Sequence, residues 1–213
     1  MSFDFRACFV LQDAISPSAL SGTLDSFGIA FEGSHSGLVH VPGRVRTEPS
    51  PPRDWAAFVA EANRPQPSAF ARLAAEEFSL EFGFVTLLKA NQFQGEPTPF
   101  LRAAWLEISD GDLVRMGYAT EDRGTDSLHL LLALFKALGA SSMAMGIETR
   151  PEQFLQFFSA ELPLGEMDER ICTAFEPGPE NARQMLTNPA RRELELERVR
   201  VVTGYFDGIG DYF

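Results

Sequence analysis

The chain has 213 residues, 45% of them hydrophobic, and a formal net charge of −12. That length and apolar content are enough for a full buried core. The acid excess argues against nucleic acid or an anionic membrane as partner, because both demand that Lys and Arg neutralise phosphate.

Apolar residues alternate at Phe3, Phe5, Ala7, Phe9 and Leu11, which predicts a strand over 3–11. Cys8 and Val10 make its second face partly apolar as well. Ser16 and Pro17 supply a cap and a first-turn proline for a helix reaching Phe27, with Leu20, Leu24 and Phe27 inward. Gly28–Phe31 and Leu38–Val41 flank the turn-rich run Glu32-Gly33-Ser34-His35-Ser36-Gly37 and read as a hairpin. Pro49, Pro51 and Pro52 mark a surface connection. Asp54 heads a helix that turns Trp55, Phe58, Val59 and Ala62 inward. After a break at Asn63–Pro67, Ser68 is expected to cap a second helix with Phe70, Leu73 and Ala74 on its apolar side. Phe78–Leu88 predicts a strand with two buried faces or a bulge. A loop at Asn91–Pro99, a strand at Phe100–Ile108 carrying Trp105, a turn at Asp110-Gly111-Asp112 and a return strand over Leu113–Tyr118 follow.

The stretch around which the rest is organised is Ser127–Leu138. Only His129 and Lys136 are strongly polar there, and a spacing of seven puts both on one helical face. A helix apolar on its other sides is buried on most of them. Thr125 or Asp126 is placed to cap it, and Gly139 to end it. Met143, Met145 and Ile147 then alternate with Ala144 and Gly146, as in a strand packed where space is tight. Arg150-Pro151 opens a helix with Phe154, Leu155, Phe157 and Phe158 inward. Leu162–Asp168 reads as a loop, Ile171–Phe175 as a strand and Pro177–Leu186 as a helix. Glu193–Val202 reads as one strand whose parity slips at Glu197-Arg198, the mark of a bulge. An aromatic, glycine-rich tail ends at Phe213. The expected fold is α+β: a mixed, mostly antiparallel sheet with helices packed on it, one of them (127–138) nearly fully buried. It is expected to form a single domain over 1–213, with the Pro-rich 49–67 region as the place where a subdivision would fall.

The start, MSFDFRACFV, has an acid at Asp4 and no long apolar run, so a signal peptide is not expected and the protein is expected to be cytoplasmic. Cys8 and Cys172 then read as reduced, buried thiols, with no CxxC pattern between them. The 19 phenylalanines against 3 tyrosines point to a Phe-packed core. The 2 lysines, Lys89 and Lys136, leave Arg as nearly the whole basic complement, which suits forked pairing with carboxylates.

Residues with chemistry to offer are scattered. His35 and His40 with Glu32 supply three loosely spaced zinc-ligand types, against the plainer reading of a solvated hairpin. His129 is suited to proton transfer, against the plainer reading that it packs against a carboxylate or carbonyl. Asp110, Asp112, Glu121, Asp122 and Asp126 crowd neighbouring turns, where paired carboxylates can divide acid and base duties or hold a hard cation. Turn formation and helix capping explain the same residues more simply, and explain Asp207 and Asp211 too. No GxSxG, GxxxxGK[ST] or GxGxxG pattern occurs, and neither a metal nor a cofactor is expected.

Charge is the sharper signal. Between Glu148 and Glu180 stand eight acids (Glu148, Glu152, Glu161, Glu166, Asp168, Glu169, Glu176, Glu180) and two arginines (Arg150, Arg170). Eight minus two gives −6, half of the whole net charge in about one sixth of the chain. With apolar Phe and Leu beside it, this segment is expected to be a docking face for a basic protein, through Glu152, Glu161, Glu166, Asp168, Glu169 and, in the tail, Phe213. An inhibitor or immunity-like partner is the leading expectation. A carboxylate-dependent enzyme drawing on His129, Asp110, Asp112 and Asp122 is the alternative, and a structural subunit or homo-oligomer joined through the aromatic tail is the third.

Overall fold

The computed structural model describes residues 4–35, 54–64, 67–88, 100–109, 111–112 and 124–204. Among them are nine strands in one sheet: β1 (Asp4–Leu11), β2 (Ala30–His35), β3 (Ala69–Ala74), β4 (Ser79–Leu88), β5 (Phe100–Ser109), β6 (Ala140–Ile147), β7 (Ile171–Phe175), β8 (Arg192–Leu196) and β9 (Val199–Thr203). They lie in the order β2-β3-β4-β5-β1-β6-β7-β9-β8, and every described pair is antiparallel. Strands on both sides of the Pro-rich 49–67 region belong to this sheet.

Six helices described over their length cover it: α1 (Pro17–Ser26), α2 (Trp55–Ala62), α3 (Gly124–Ala137), α4 (Pro151–Phe158), α5 (Leu164–Arg170) and α6 (Pro179–Met185). The period-2 rule sorts their contacts into two layers. Phe5, Phe9, Phe82, Phe84, Leu106 and Met143 turn to one face and meet Leu20, Leu24, Phe58, Leu131 and Leu134 of α1, α2 and α3. Cys8, Val85, Ala103, Trp105 and Ala144 turn to the other and meet Phe154, Phe157, Met167 and Met185 of α4, α5 and α6. Both faces of the central strands are therefore apolar, as β4 shows with Phe82 and Phe84 on one side and Val85 and Leu87 on the other. Its pairing runs without a register shift, so the drift in its sequence is two-sided burial and not a bulge.

The capping chemistry does what its residues allow. Ser16 Oγ accepts from Ala19 N at 3.4 Å, and Asp54 Oδ1 accepts from Ala57 N at 2.8 Å. Gly28, at φ 67°, closes α1 with Gly28 N donating to Asp25 O and Ile29 N to Leu24 O, both at 3.0 Å. The central helix begins earlier than expected, at Gly124, which puts Thr125 and Asp126 inside its first turn. Leu128, Leu130, Leu131, Leu132, Leu134, Phe135 and Leu138 are buried, while His129 and Lys136 face solvent.

Three expected elements are corrected. The segment after Ser68 is strand β3 and not a helix, because Ala69, Ala71 and Leu73 are its buried set at period two. Most of the loop expected at Leu162–Asp168 belongs to the helix Leu164–Arg170, which turns only Met167 inward, too little for a periodic signal. Glu193–Val202 is two strands, and Glu197 and Arg198 form the two-residue turn between them, at φ 48° and 70°. The parity slip was the hairpin itself, since a type I′ turn needs positive φ at both central residues. The strand partner expected at Leu38–Val41, the loop at 91–99 and the strand at Leu113–Tyr118 lie outside the described residues.

Two positive-φ residues give a testable consequence. Ala160, at φ 57°, ends α4 where glycine is favoured, with Ala160 N donating to Phe157 O at 3.0 Å and Glu161 N to Gln156 O at 2.7 Å. Ala160→Gly and Arg198→Gly should each stabilise the fold, by about 1 kcal/mol, by removing a Cβ from the left-handed region. Urea midpoints check this, and a loss of stability in either variant would contradict the assigned backbone.

Candidate functional site

The acidic segment contains α4 and α5, strand β7 and the start of α6. Arg150 N donates to Gln153 Oε1 at 3.0 Å at the start of α4, and Pro151 occupies the first turn. Buried Gln153 then donates through Nε2 to Glu166 Oε2 at 3.0 Å, which ties α4 to α5. Asn181 Nδ2 donates to Phe157 O at 2.6 Å, which ties α6 to α4. Arg191, its side chain 4% exposed, reaches the C-terminal end of α5, where it donates to Met167 O at 3.1 Å and Ile171 O at 2.6 Å. A cation at that end also meets the negative pole of the helix.

On this scaffold the acids stand outward. Glu148, Glu152, Glu161, Glu166, Glu169 and Glu176 are exposed; Asp168 and Glu180 are partly covered. Several are engaged: Glu152 lies 3.4 Å from Arg150, Asp168 3.5 Å from Arg191, and Glu180 accepts from Arg183 and Gln184. The Arg183 bond, with help from Gln184, holds the Glu180 carboxyl below the usual range. The exposed pairs at Glu152 and Glu180 add little to stability.

The phenylalanines of α4 face inward, as their helical spacing predicts, and so are not the apolar anchors of a docking face. Phe154 and Phe157 are wholly buried, with Leu155 and Phe158 half-buried against the same core, and Phe175 is wholly buried on the other face of the sheet. The large apolar side chain left open among the described residues is Leu164, 44% exposed. It begins α5, three residues after Glu161 and two before Glu166. Sequence reasoning passed over it because the segment showed no periodicity.

Of the other candidate sets, only the members among the described residues can be placed. Asp112 Oδ2 accepts from Ser109 Oγ at 2.9 Å, and Asp112 N donates back to that hydroxyl at 3.1 Å, so Ser109 caps the helical turn that Gly111 and Asp112 begin after β5. That turn sits where β1 begins, since Ser109 pairs with Asp4. The exposed His129 acts on Glu197, whose carboxyl is held low by its bond to Lys136, by the Lys136 charge and, more weakly, by His129. Glu197 stands where β1 finishes, because β9 runs that way from Val201 to Val199. Asp112 and the Glu197 that His129 faces are thus at opposite ends of the sheet. Asp110, Glu121, Asp122, His40, Asp207, Asp211 and Phe213 lie outside the described residues, as does the side chain of Asp126. Glu32 is held by Arg72 at 3.1 Å, and no group of three His, Cys, Asp or Glu converges among the described residues.

Cys8 and Cys172 are free and buried, and Cys172 Sγ lies 3.2 Å from Met145 O. Burial pushes the Cys8 thiol far above its ordinary value and Cys172 up to about 12, against a small opposing pull from Arg191. A nucleophilic thiolate is therefore disfavoured at both positions. A raised value means that the fold keeps its protons where the unfolded chain would lose them. The thiols' contribution is whole below pH 9.0 and is lost as pH rises through about 12. Stability should fall over that window by up to about 1.4 kcal/mol per pH unit per thiol. Cys172→Ala should make the urea-midpoint slope shallower; an unchanged slope would refute the assignment. A thiol reagent at pH 8 should label neither cysteine until denaturant is added.

No protein-family model, curated protein or solved structure matches this chain. Among the described residues no helix is long and apolar enough to cross a membrane.

Proposed function

We propose that the protein is an acidic binding domain that captures a basic protein, with the corner between α4 and α5 as the docking face. An inhibitor or immunity-like role is the form of this reading that asks least of the chain. The observation that carries it is the position of Leu164, open to solvent between Glu161 and Glu166 in the segment Glu148–Glu180, which holds half the net charge. Like-signed acids around it raise the rate of encounter with a basic surface, and an apolar anchor slows release. The hydrogen-bonded frame of Gln153, Asn181 and Arg191 fixes the helices beforehand, so little ordering accompanies binding.

The test is retention of proteins from lysate on the immobilised chain. Wild type should hold a basic protein at low salt and release it at high salt. Leu164→Asp should weaken retention about tenfold or more, the loss of roughly 1.4 kcal/mol that a central anchor carries. Reversal of Glu161, Glu166 and Glu169 to Lys should abolish it. Reversal of Glu76 and Glu77, exposed in the β3–β4 turn, should not. If nothing basic is held at low salt, or if both sets of reversals release it equally, the docking face is wrong.

A further inference from the structure

We draw no further inference here: the strongest candidate, the open depression beside the β8–β9 hairpin lined by Glu176, Glu193, Glu195, Arg198 and Arg200, is a surface cluster in which Arg200 already bonds Glu193 and Glu176, and nothing in the structure points to a ligand that would fill it.

Discussion

Gly146→Ala is expected to cost at least about 3 kcal/mol, the upper end of what overpacking a well-filled interior usually costs. For a chain of this size that lowers the melting midpoint by roughly 6–12 °C. A Cβ built on Gly146 would lie 2.1 Å from Arg170 O and 2.1 Å from Thr149 Oγ1. The first obstacle is backbone. Arg170 is the last residue of α5 and leads directly into β7, and its carbonyl also accepts from Thr149 Oγ1 at 3.2 Å. It cannot retreat without moving the helix–strand junction. The β6–β7 register already shifts between Met145 and Gly146, so the ladder has been adjusted to this contact. Thr149→Ala removes the second obstacle and leaves the first, so the double variant should stay nearly as unstable as Gly146→Ala alone. A midpoint within 2 °C of wild type for Gly146→Ala would show that the junction does not approach β6 this closely.

That contact illustrates what was legible. The alternation of Met143, Met145 and Ile147 with Ala144 and Gly146 announces a strand in a tight place, because small residues on one parity have no other simple purpose there. What crowds it is the end of a helix 24 residues later, and no local pattern carries that. The same division holds elsewhere. Helices whose inward face spans two turns, such as α1 and α2, show their period and their cap in the sequence. A seven-residue helix with Met167 as its one inward side chain does not. The six-residue β3 reads as either period, and its neighbours decide: Leu73 pairs with Leu80 on one side and Phe31 on the other. At the site, charge was legible because it needs only counting. Which apolar residue stays outside was not: spacing put Phe154 and Phe157 inward, but the short α5 offers no period by which to place Leu164.

Losing Arg191 should be as damaging, at about 2–6 kcal/mol for Arg191→Met, because the groups served by its buried guanidinium lose their donor, at roughly 1–3 kcal/mol for each of two buried carbonyls. Here those groups are the carbonyls of Met167 and Ile171 and the Asp168 carboxylate, 3.5 Å from Nη1. Arg191→Lys keeps the charge but replaces a planar fork with a single point, so it should recover only part of the loss. The position is shaped for the arginine stem: a Cβ on Gly204 would lie 2.7 Å from Arg191 Cγ and 2.9 Å from Ala190 O. Arg191 thereby joins the entry to β8, the exit from β9 and the end of α5 in one contact. Since α5 carries Leu164, Glu166 and Glu169, the variant should also weaken capture of a basic partner while leaving the charge count of that helix unchanged. Denaturation midpoints measure the first effect and retention well below the midpoint measures the second. Wild-type stability in Arg191→Met would mean that water or a neighbour satisfies the carbonyls, and wild-type retention in a destabilised variant would mean that α5 holds its docking geometry without this anchor.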